Sequence, residues 1–499
     1  MFVTCFGLFL YVVLALTRAV ECTVDQHHVY ITKTSKAYAG EEEVHILGVG
    51  VTTLMFQNFW SNQVQVLDGC IEKTLNDQYT LVLRDSISDS WDEGSMVDVR
   101  NDYGVSVFNG RMTGTRMESI PLSLYAPITP LTAWQFSLNA PQADWTEVSA
   151  IVDGWDEYIK GNWTESASGT QYFRTSVRVM TNLAAYDLRV RYISGVIIYV
   201  NGIEVYRDNM ADGLVDATTL ATNSYNSEVV RGVVRSGMDL LNPTAVIAVE
   251  LHFTSNESRE VTFEAILSQM ASASVNSNCY MLSEYTVTSP HGSTSDLTDM
   301  NMNTVFSTTS DLMSVSYSWS DLRVIVNGWK FGVGSDTTIA PTSFMWSGSM
   351  SSGSEMTEVG SISMSGYNAN TYYTTNSVSS DATYGYYTIQ MGSSGSSIGL
   401  SGLYPMICSQ MVPSSIEYPK NSYSIMRGVE VVSIVPGVSG FVNCSSTPVL
   451  PDGLRLSSDC RIEGTSFVTG TNEYTVSGWI MEQIVSSVIS ISIETCVGT

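Results

Sequence analysis

The chain has 499 residues, with 49 acidic against 23 basic side chains and a formal charge of −26. That balance excludes nucleic acid as a partner, because phosphate binding needs clustered Lys and Arg, and it excludes an anionic membrane surface for the same reason. Charged residues are only 14% and apolar ones 44%, so the chain is no charge-driven disordered polymer, and its length suits about three or four domains.

Phe6 to Leu16 is an unbroken apolar run, too short to span about 30 Å of hydrocarbon. Leu16-Thr17-Arg18-Ala19 follows, with a small residue suited to cleavage. Residues 1–20 therefore read as a secretory signal peptide, although no Lys or Arg precedes the run. A buried helix or an uncleaved anchor is the alternative. No later run reaches about 18 apolar residues, so no transmembrane segment is expected. This predicts a secreted, extracellular or cell-surface protein.

Secretion makes the cysteines readable. Cys5 leaves with the signal, and Cys22, Cys70, Cys279, Cys408, Cys444, Cys460 and Cys496 remain. Their spacing is wide and contains no CxxC, which disfavours zinc; in an oxidising compartment disulfides are the default. Cys22–Cys70 and Cys279–Cys408 are the preferred pairs. Cys444, Cys460 and Cys496 compete for one bond, leaving one thiol unpaired or paired between chains. Asn162-Trp-Thr, Asn256-Glu-Ser and Asn443-Cys-Ser are glycosylation sequons.

Along the mature chain the apolar period is two. Leu188, Val190 and Tyr192 alternate with Arg189 and Arg191; Ile247, Val249, Leu251 and Phe253 share one face; so do Tyr387, Ile389 and Met391, and finally Ile489, Ile491 and Ile493. Val196–Val200 and Ile203–Tyr206 flank Asn201-Gly202, a strong hairpin signal because both turn positions need φ > 0. No convincing helical window exceeds about ten residues. The predicted fold class is all-β: tandem β-sandwich or jelly-roll domains after an N-terminal signal peptide.

The first domain, 21–125, centres on a strand ending in Asp85-Ser-Ile-Ser-Asp89-Ser-Trp91-Asp92-Glu93-Gly94. It resembles a small secreted β-module marked by an Asp-Ser-x-Gly-Asp-Gly-Trp loop, with both motif glycines replaced by Ser88 and Ser90. Asp85, Asp89, Asp92 and Glu93 are hard oxygen donors and make calcium the candidate cofactor; the alternative is a solvated acidic turn whose Trp91 packs on the sheet.

Domain two, 126–272, carries Trp145 to Trp155, Tyr172-Phe173-Arg174, Gly195 to Met210 and Pro243 to His252. Together these resemble a galactose-binding-like jelly roll, a domain found beside catalytic or adhesive domains in secreted proteins. Ser194 stands where that family usually has Asp. His252 reads as a strand-surface residue rather than a ligand.

Domain three, 273–412, is framed by Cys279 and Cys408. Its Asp299-Met-Asn301-Met-Asn303-Thr304-Val-Phe306, Pro341 to Gly348 and Ile398 to Tyr404 segments resemble a degenerate discoidin domain. That resemblance implies a disulfide closing the sandwich and loops that bind glycans or lipid headgroups. Asp299, Asn301 and Asn303 are a second calcium candidate, or a turn satisfied by Asx hydrogen bonds. Ser347–Ser354 reads as a long loop.

The last domain, 413–499, contains Leu450-Pro451-Asp-Gly453-Leu454-Arg-Leu456 and Ile462-Glu-Gly464-Thr465. It resembles the immunoglobulin-like domains of surface proteins, which act as spacers or in adhesion. Pro451 and Gly453 are expected to form a tight turn delivering Leu454 and Leu456 to the core.

The chemistry argues against an enzyme. The five histidines are His27, His28, His45, His252 and His291, and no HExxH, P-loop or dinucleotide fingerprint appears. Gly395-Ser-Ser397-Ile-Gly399 matches GxSxG, but a nucleophile elbow needs a strand before it and a helix after it. Trp134, Trp145, Trp155, Trp163, Trp319 and Trp329 are expected mainly in cores. Tyr372 and Tyr373, in a Thr- and Asn-rich stretch that reads as a loop, and Trp346 are the candidate sugar-stacking residues. The expected function is non-catalytic, adhesin-like recognition of extracellular glycans or glycoproteins by sandwich loops. The alternative is a structural component of an extracellular coat or filament, binding copies of itself.

Overall fold

The computed structural model describes residues 20–495 without 49–52, 75–78, 93, 113, 115, 161–165, 168, 182, 224, 226, 241, 256–258, 261–262, 274–278, 377–381, 409–415, 417, 419–421, 429–430, 435, 437–441, 458–459 and 481–482. The signal-peptide reading, Glu93, Trp163, Cys496 and the sequons at Asn162 and Asn256 thus fall outside the described residues. Asn443 lies in the strand Val442–Thr447.

The chain is all-β. Among the described residues its strands form four pairs of sheets and two short two-stranded ladders. In the first pair, strands ordered Val64–Glu72, Gln26–Thr34, Met96–Arg100, Ser106–Gly110 face strands ordered Thr53–Phe56, Glu42–Gly48, Tyr79–Asp85, Met117–Leu122. Val29, Ile31, Val44, Ile46, Leu81 and Leu83 supply one core from both sheets, as alternation along each strand requires. The second pair sets the six strands Asp156–Tyr158, Trp134–Ser137, Gln171–Arg178, Thr244–His252, Gly195–Val200 and Ile203–Asp208 against Glu264–Met270, Ala185–Tyr192 and Val229–Ser236. Leu188, Val190 and Tyr192 are fully buried there, and Asn201 and Gly202 turn the predicted hairpin at φ 51° and 87°.

In the third pair, Cys279–Met281, Gly402–Cys408, Gly328–Val333 and Thr371–Asn376 face Thr286–Thr288, Leu312–Ser318, Tyr386–Gly392, Ser343–Ser349 and Thr357–Ser363. In the fourth, Ser422–Met426, Gln483–Glu494, Gly470–Ile480 and Val442–Thr447 face Val431–Ile434, Ile462–Gly464 and Leu454–Leu456. Ile489, Ile491 and Ile493 point inward. Gly453 sits at φ 96° with its carbonyl accepting from Thr465 N; a Cβ there would lie 1.9 Å from the Thr465 oxygen, so the turn admits only glycine. Leu454 is buried and Leu456 packs partly against the same core.

Disulfides join Cys22 to Cys70, Cys279 to Cys408 and Cys444 to Cys460. No helix among the described residues is long and apolar enough to cross a membrane.

Several placements differ from expectation. Trp346 is fully buried, its Nε1–H donating to the Val326 carbonyl at 3.2 Å, so it offers no sugar-stacking face. Tyr372 and Tyr373 belong to a strand, Thr371–Asn376, and are half-buried; Tyr373 stacks on Phe331. Ser347–Ser349 likewise close a strand rather than open a loop. His252 is 1% exposed. Its strand is central, and segments that cross the outer face bury the polar side too: Nδ1 lies 2.9 Å from the Thr219 carbonyl and Nε2 lies 3.0 Å from Glu250 Oε2. The GxSxG stretch leads into a strand, Ile398–Leu400, not a helix.

The first three sheet pairs are tied together. Glu284 accepts from Arg100 Nη1 and from Arg189 Nη2, each at 2.9 Å. Arg100 also holds Asp98 at 2.7 Å, and Arg189 grips Asp187 through two nitrogens. One carboxylate of the third pair thus bridges guanidinium groups of the first and second. Nearby, Tyr280 donates to Ser106 Oγ at 2.9 Å, and Leu322–Val324 adds a parallel strand to Val229–Ser236.

Burial works against the Glu284 charge, but Arg189 and Arg100 outweigh it and hold its pKa below the ordinary glutamate value. The stabilisation is therefore complete above about pH 4.3, the unfolded value, and is lost as pH falls through the lower folded value. Glu284→Gln is expected to cost about 2 kcal/mol at neutral pH, since it leaves two half-buried guanidinium groups short of a charged acceptor. Thermal melts at neutral pH and in steps below about pH 4.3 check both points: the variant starts lower and loses less on acidification.

Candidate functional site

Two places gather polar chemistry. The larger is a cleft of about 680 Å³ between the second and third sheet pairs, within the usual range of about 300–1,000 Å³ for ligand sites. One wall is the edge strand Ile203–Asp208 and the segment after it; the other carries Arg323, Met350 and Tyr384.

Asp208, at the end of that edge strand, organises the cleft wall. It accepts from Tyr192 OH, from Tyr225 OH at 2.8 Å, and from Arg231 and Arg323 at 3.1 Å. Arg323 also donates to the Arg207 carbonyl, and its guanidinium lies over the Tyr206 ring at 5.0 Å. Burial, followed by the Asp208 charge, pushes the Tyr206 phenol up. Arg207 is clamped by Glu204 through two bonds of 2.7 Å and donates to the Ala211 carbonyl at 2.8 Å. Those bonds, together with Glu204's charge, raise the Arg207 pKa. Arg235 holds Asp239 at 2.7 Å. Three arginines therefore line one cleft, each with its guanidinium oriented by a carboxylate. Sequence reasoning missed all of them, because each is an ordinary strand residue until two sheets are set side by side.

The second place is the loop after Tyr79–Asp85. Trp91 is buried, donates Nε1–H to the Arg84 carbonyl at 2.8 Å and lies under the Lys33 ammonium at 4.2 Å. Lys33 in turn meets Glu42 Oε2 at 2.5 Å, both fully buried; burial lowers the Lys33 pKa against the pull of Glu42. Anchored by Trp91, the loop brings Asp85 and Asp89 together with Glu41, their carboxylate oxygens within 4.8 Å of one another. Asp92, expected among the ligands, is outside that group. Glu41 was not expected in it: it reaches the loop because Glu42 pairs opposite Asp85 across the sheet, a register that sequence does not display.

Asp299, Asn301 and Asn303 form a turn rich in side-chain to backbone hydrogen bonds. Asp299 Oδ1 accepts from Asn301 N at 3.0 Å, Asp299 accepts from the Thr304 hydroxyl, and Asn301 Oδ1 accepts from Asn303 N at 3.0 Å, so the side chains satisfy their own turn.

No family profile matches the sequence, and no curated protein does. Among solved structures, the chain is similar to a fucolectin from striped bass serum at 10% identity and TM-score 0.23, over 57% of this chain and 99% of that one. It is similar to two CBM32 domains of Clostridium perfringens ZmpB at 10% identity and TM-score 0.21, over 56% and 94%. A Bacteroides uniformis β-glucuronidase 2 gives 8% identity and TM-score 0.24, over 73% of this chain and 32% of that one; the chain spans about a third of that protein's length. Likeness at this level carries no functional argument.

Ser88 and Ser90 occupy φ 74° and 82°, a region that costs a residue with a Cβ about 1–2 kcal/mol and glycine almost nothing. These are the positions where the resembled motif has glycine. Ser88→Gly and Ser90→Gly are each expected to stabilise the protein by about 0.5–1 kcal/mol, after the larger entropy of the unfolded glycine chain is subtracted. Chemical denaturation of the two variants measures it.

Proposed function

We propose that this chain is an extracellular, non-catalytic binding protein that recognises glycans, and that the cleft between the second and third sheet pairs is where it does so. The observation that carries the reading is that Arg207, Arg235 and Arg323 all line a cleft of about 680 Å³, in a chain with only 23 basic residues. A guanidinium has five N–H donors in a planar fork. Arg207 commits three of them, to Glu204 and the Ala211 carbonyl, which leaves donors for the vicinal hydroxyls or carboxylate of a sugar. Carboxylates that already hold the forks in place cut the entropy lost on binding. In this reading the chain is four modules, 21–125, 126–272, 273–412 and 413–499, the first three acting as one body.

A glycan array probed with the full chain, with and without calcium, tests the function. Retention on a defined group of glycans is expected, weakened at least tenfold by Arg207→Ala and by Met350→Arg, since Met350 is 57% exposed at the cleft. Silence on every glycan would sink the reading.

A structural role by self-association has one observation in its favour. Val64–Glu72 is an edge strand, and it exposes Val64 and Val66 at 64% and 66%, with Trp60 at 64%. An edge with unpaired backbone groups and apolar side chains fits a second copy of the same strand. Sedimentation across a concentration series checks it: wild type should associate, and Val66→Lys should remain monomeric.

A further inference from the structure

We propose that Glu41, Asp85 and Asp89 bind one divalent cation of the hard, oxygen-preferring kind, calcium being the probe of choice, at the end of the first sheet pair. This site is independent of the glycan cleft.

Three carboxylate groups converge, with ligand oxygens within 4.8 Å of one another. Convergence of acids alone would prove nothing on so acidic a chain. The second observation is the state of Asp85. Its residue is only 2% exposed. Oδ1 accepts from Ile87 N at 2.9 Å and Ser88 N at 2.6 Å, which fixes the carboxylate plane. Oδ2 is fully buried and has no hydrogen-bond partner among the described residues. A buried acceptor without a donor is costly, and the groups beside this one are more acids. Other deeply buried carboxylates have cationic partners: Asp187 with Arg189, Glu42 with Lys33, Asp208 with Arg231 and Arg323. A cation is the ligand that satisfies Oδ2 and its two neighbours at once.

The field points the same way. Three carboxylates whose ligand oxygens lie within 4.8 Å of one another repel when all are ionised, and a divalent cation removes that repulsion. Hard oxygen donors without nitrogen or sulfur suit calcium, which takes six to eight oxygens; the exposure of Asp89 leaves room for waters to complete the shell. The cluster also explains the loop. Ser88 and Ser90 hold positive φ on either side of Asp89, in the loop that carries the Asp89 carboxylate beside Asp85.

Isothermal titration of calcium chloride into the full chain tests the site. Saturable binding is expected with Kd of about 10⁻⁴–10⁻³ M, the range of extracellular modules. Asp89→Asn should weaken it at least tenfold; Asp89 is exposed, so this variant folds. Glu41→Gln should do the same. Thermal melts give a second reading: calcium raises the wild-type midpoint and leaves both variants unmoved, while without calcium both variants melt no lower than wild type because they relieve repulsion. Absence of saturable calcium binding overturns the proposal. So does binding that persists unchanged in both variants, which would place the ion elsewhere on the chain.

Discussion

Glu284 is the side chain on which the arrangement of the first three sheet pairs depends. It lies just after the strand Cys279–Met281, and each of its oxygens takes a guanidinium from a different sheet pair. Charge-assisted bonds of this kind carry direction as well as energy. Behind them stand Asp98 and Asp187, so that acids and arginines alternate along the junction. An apolar interface would tolerate sliding; this alternation does not. Gly94 marks another point of the same contact: its Cβ position lies 2.9 Å from the Asp299 carbonyl, so the loop that follows Trp91 abuts the Asp299 turn, which follows the strand Thr286–Thr288 of the third sheet pair.

A fixed junction gives the cleft a fixed width. Its walls belong to different sheet pairs, and a ligand that touched both would lose affinity if they moved independently. Here the parallel pairing of Leu322–Val324 with Val229–Ser236 delivers Arg323 to Asp208. The cleft is therefore a consequence of how the sheets are joined. Neither sheet pair alone contains it.

What the sequence displays is set by the range of the physics. Period-two alternation placed the strands at 185–192 and 483–494, Asn201-Gly202 placed the hairpin, and Pro451 with Gly453 placed the turn, because each depends on neighbours in the chain. The two serines at glycine positions of the loop motif were legible too, and the backbone retains the positive φ that the missing glycines imply. Long-range choices were not legible. His252 alternates like a surface residue, but the outer face of its sheet is covered as well as the inner one: Met210 and Ala221 pack over Ile197 of the neighbouring strand, and Trp145 packs over Ala248. Trp346 had the composition of a binding loop around it and the role of a core residue. Glu41 joined Asp85 through strand register, and Glu284 joined Arg100 and Arg189 through the docking of sheet pairs.

The charge balance reads differently once the contacts are known. A chain at −26 should place its few cations where repulsion between acids would otherwise be worst, and Arg100, Arg189, Arg231 and Arg323 each sit against one or two carboxylates at a junction or cleft wall. The loop at Asp85 breaks that rule: a buried carboxylate oxygen faces acids instead of a guanidinium. Its neighbour Glu42 shows what the fold does when it balances a charge internally, with Lys33 drawn into a fully buried pair under Trp91. Of this cross-strand pair, one acid is thus neutralised by the chain itself and the other is left for something outside it, and that contrast between directly opposed residues is the reason to look for an ion there.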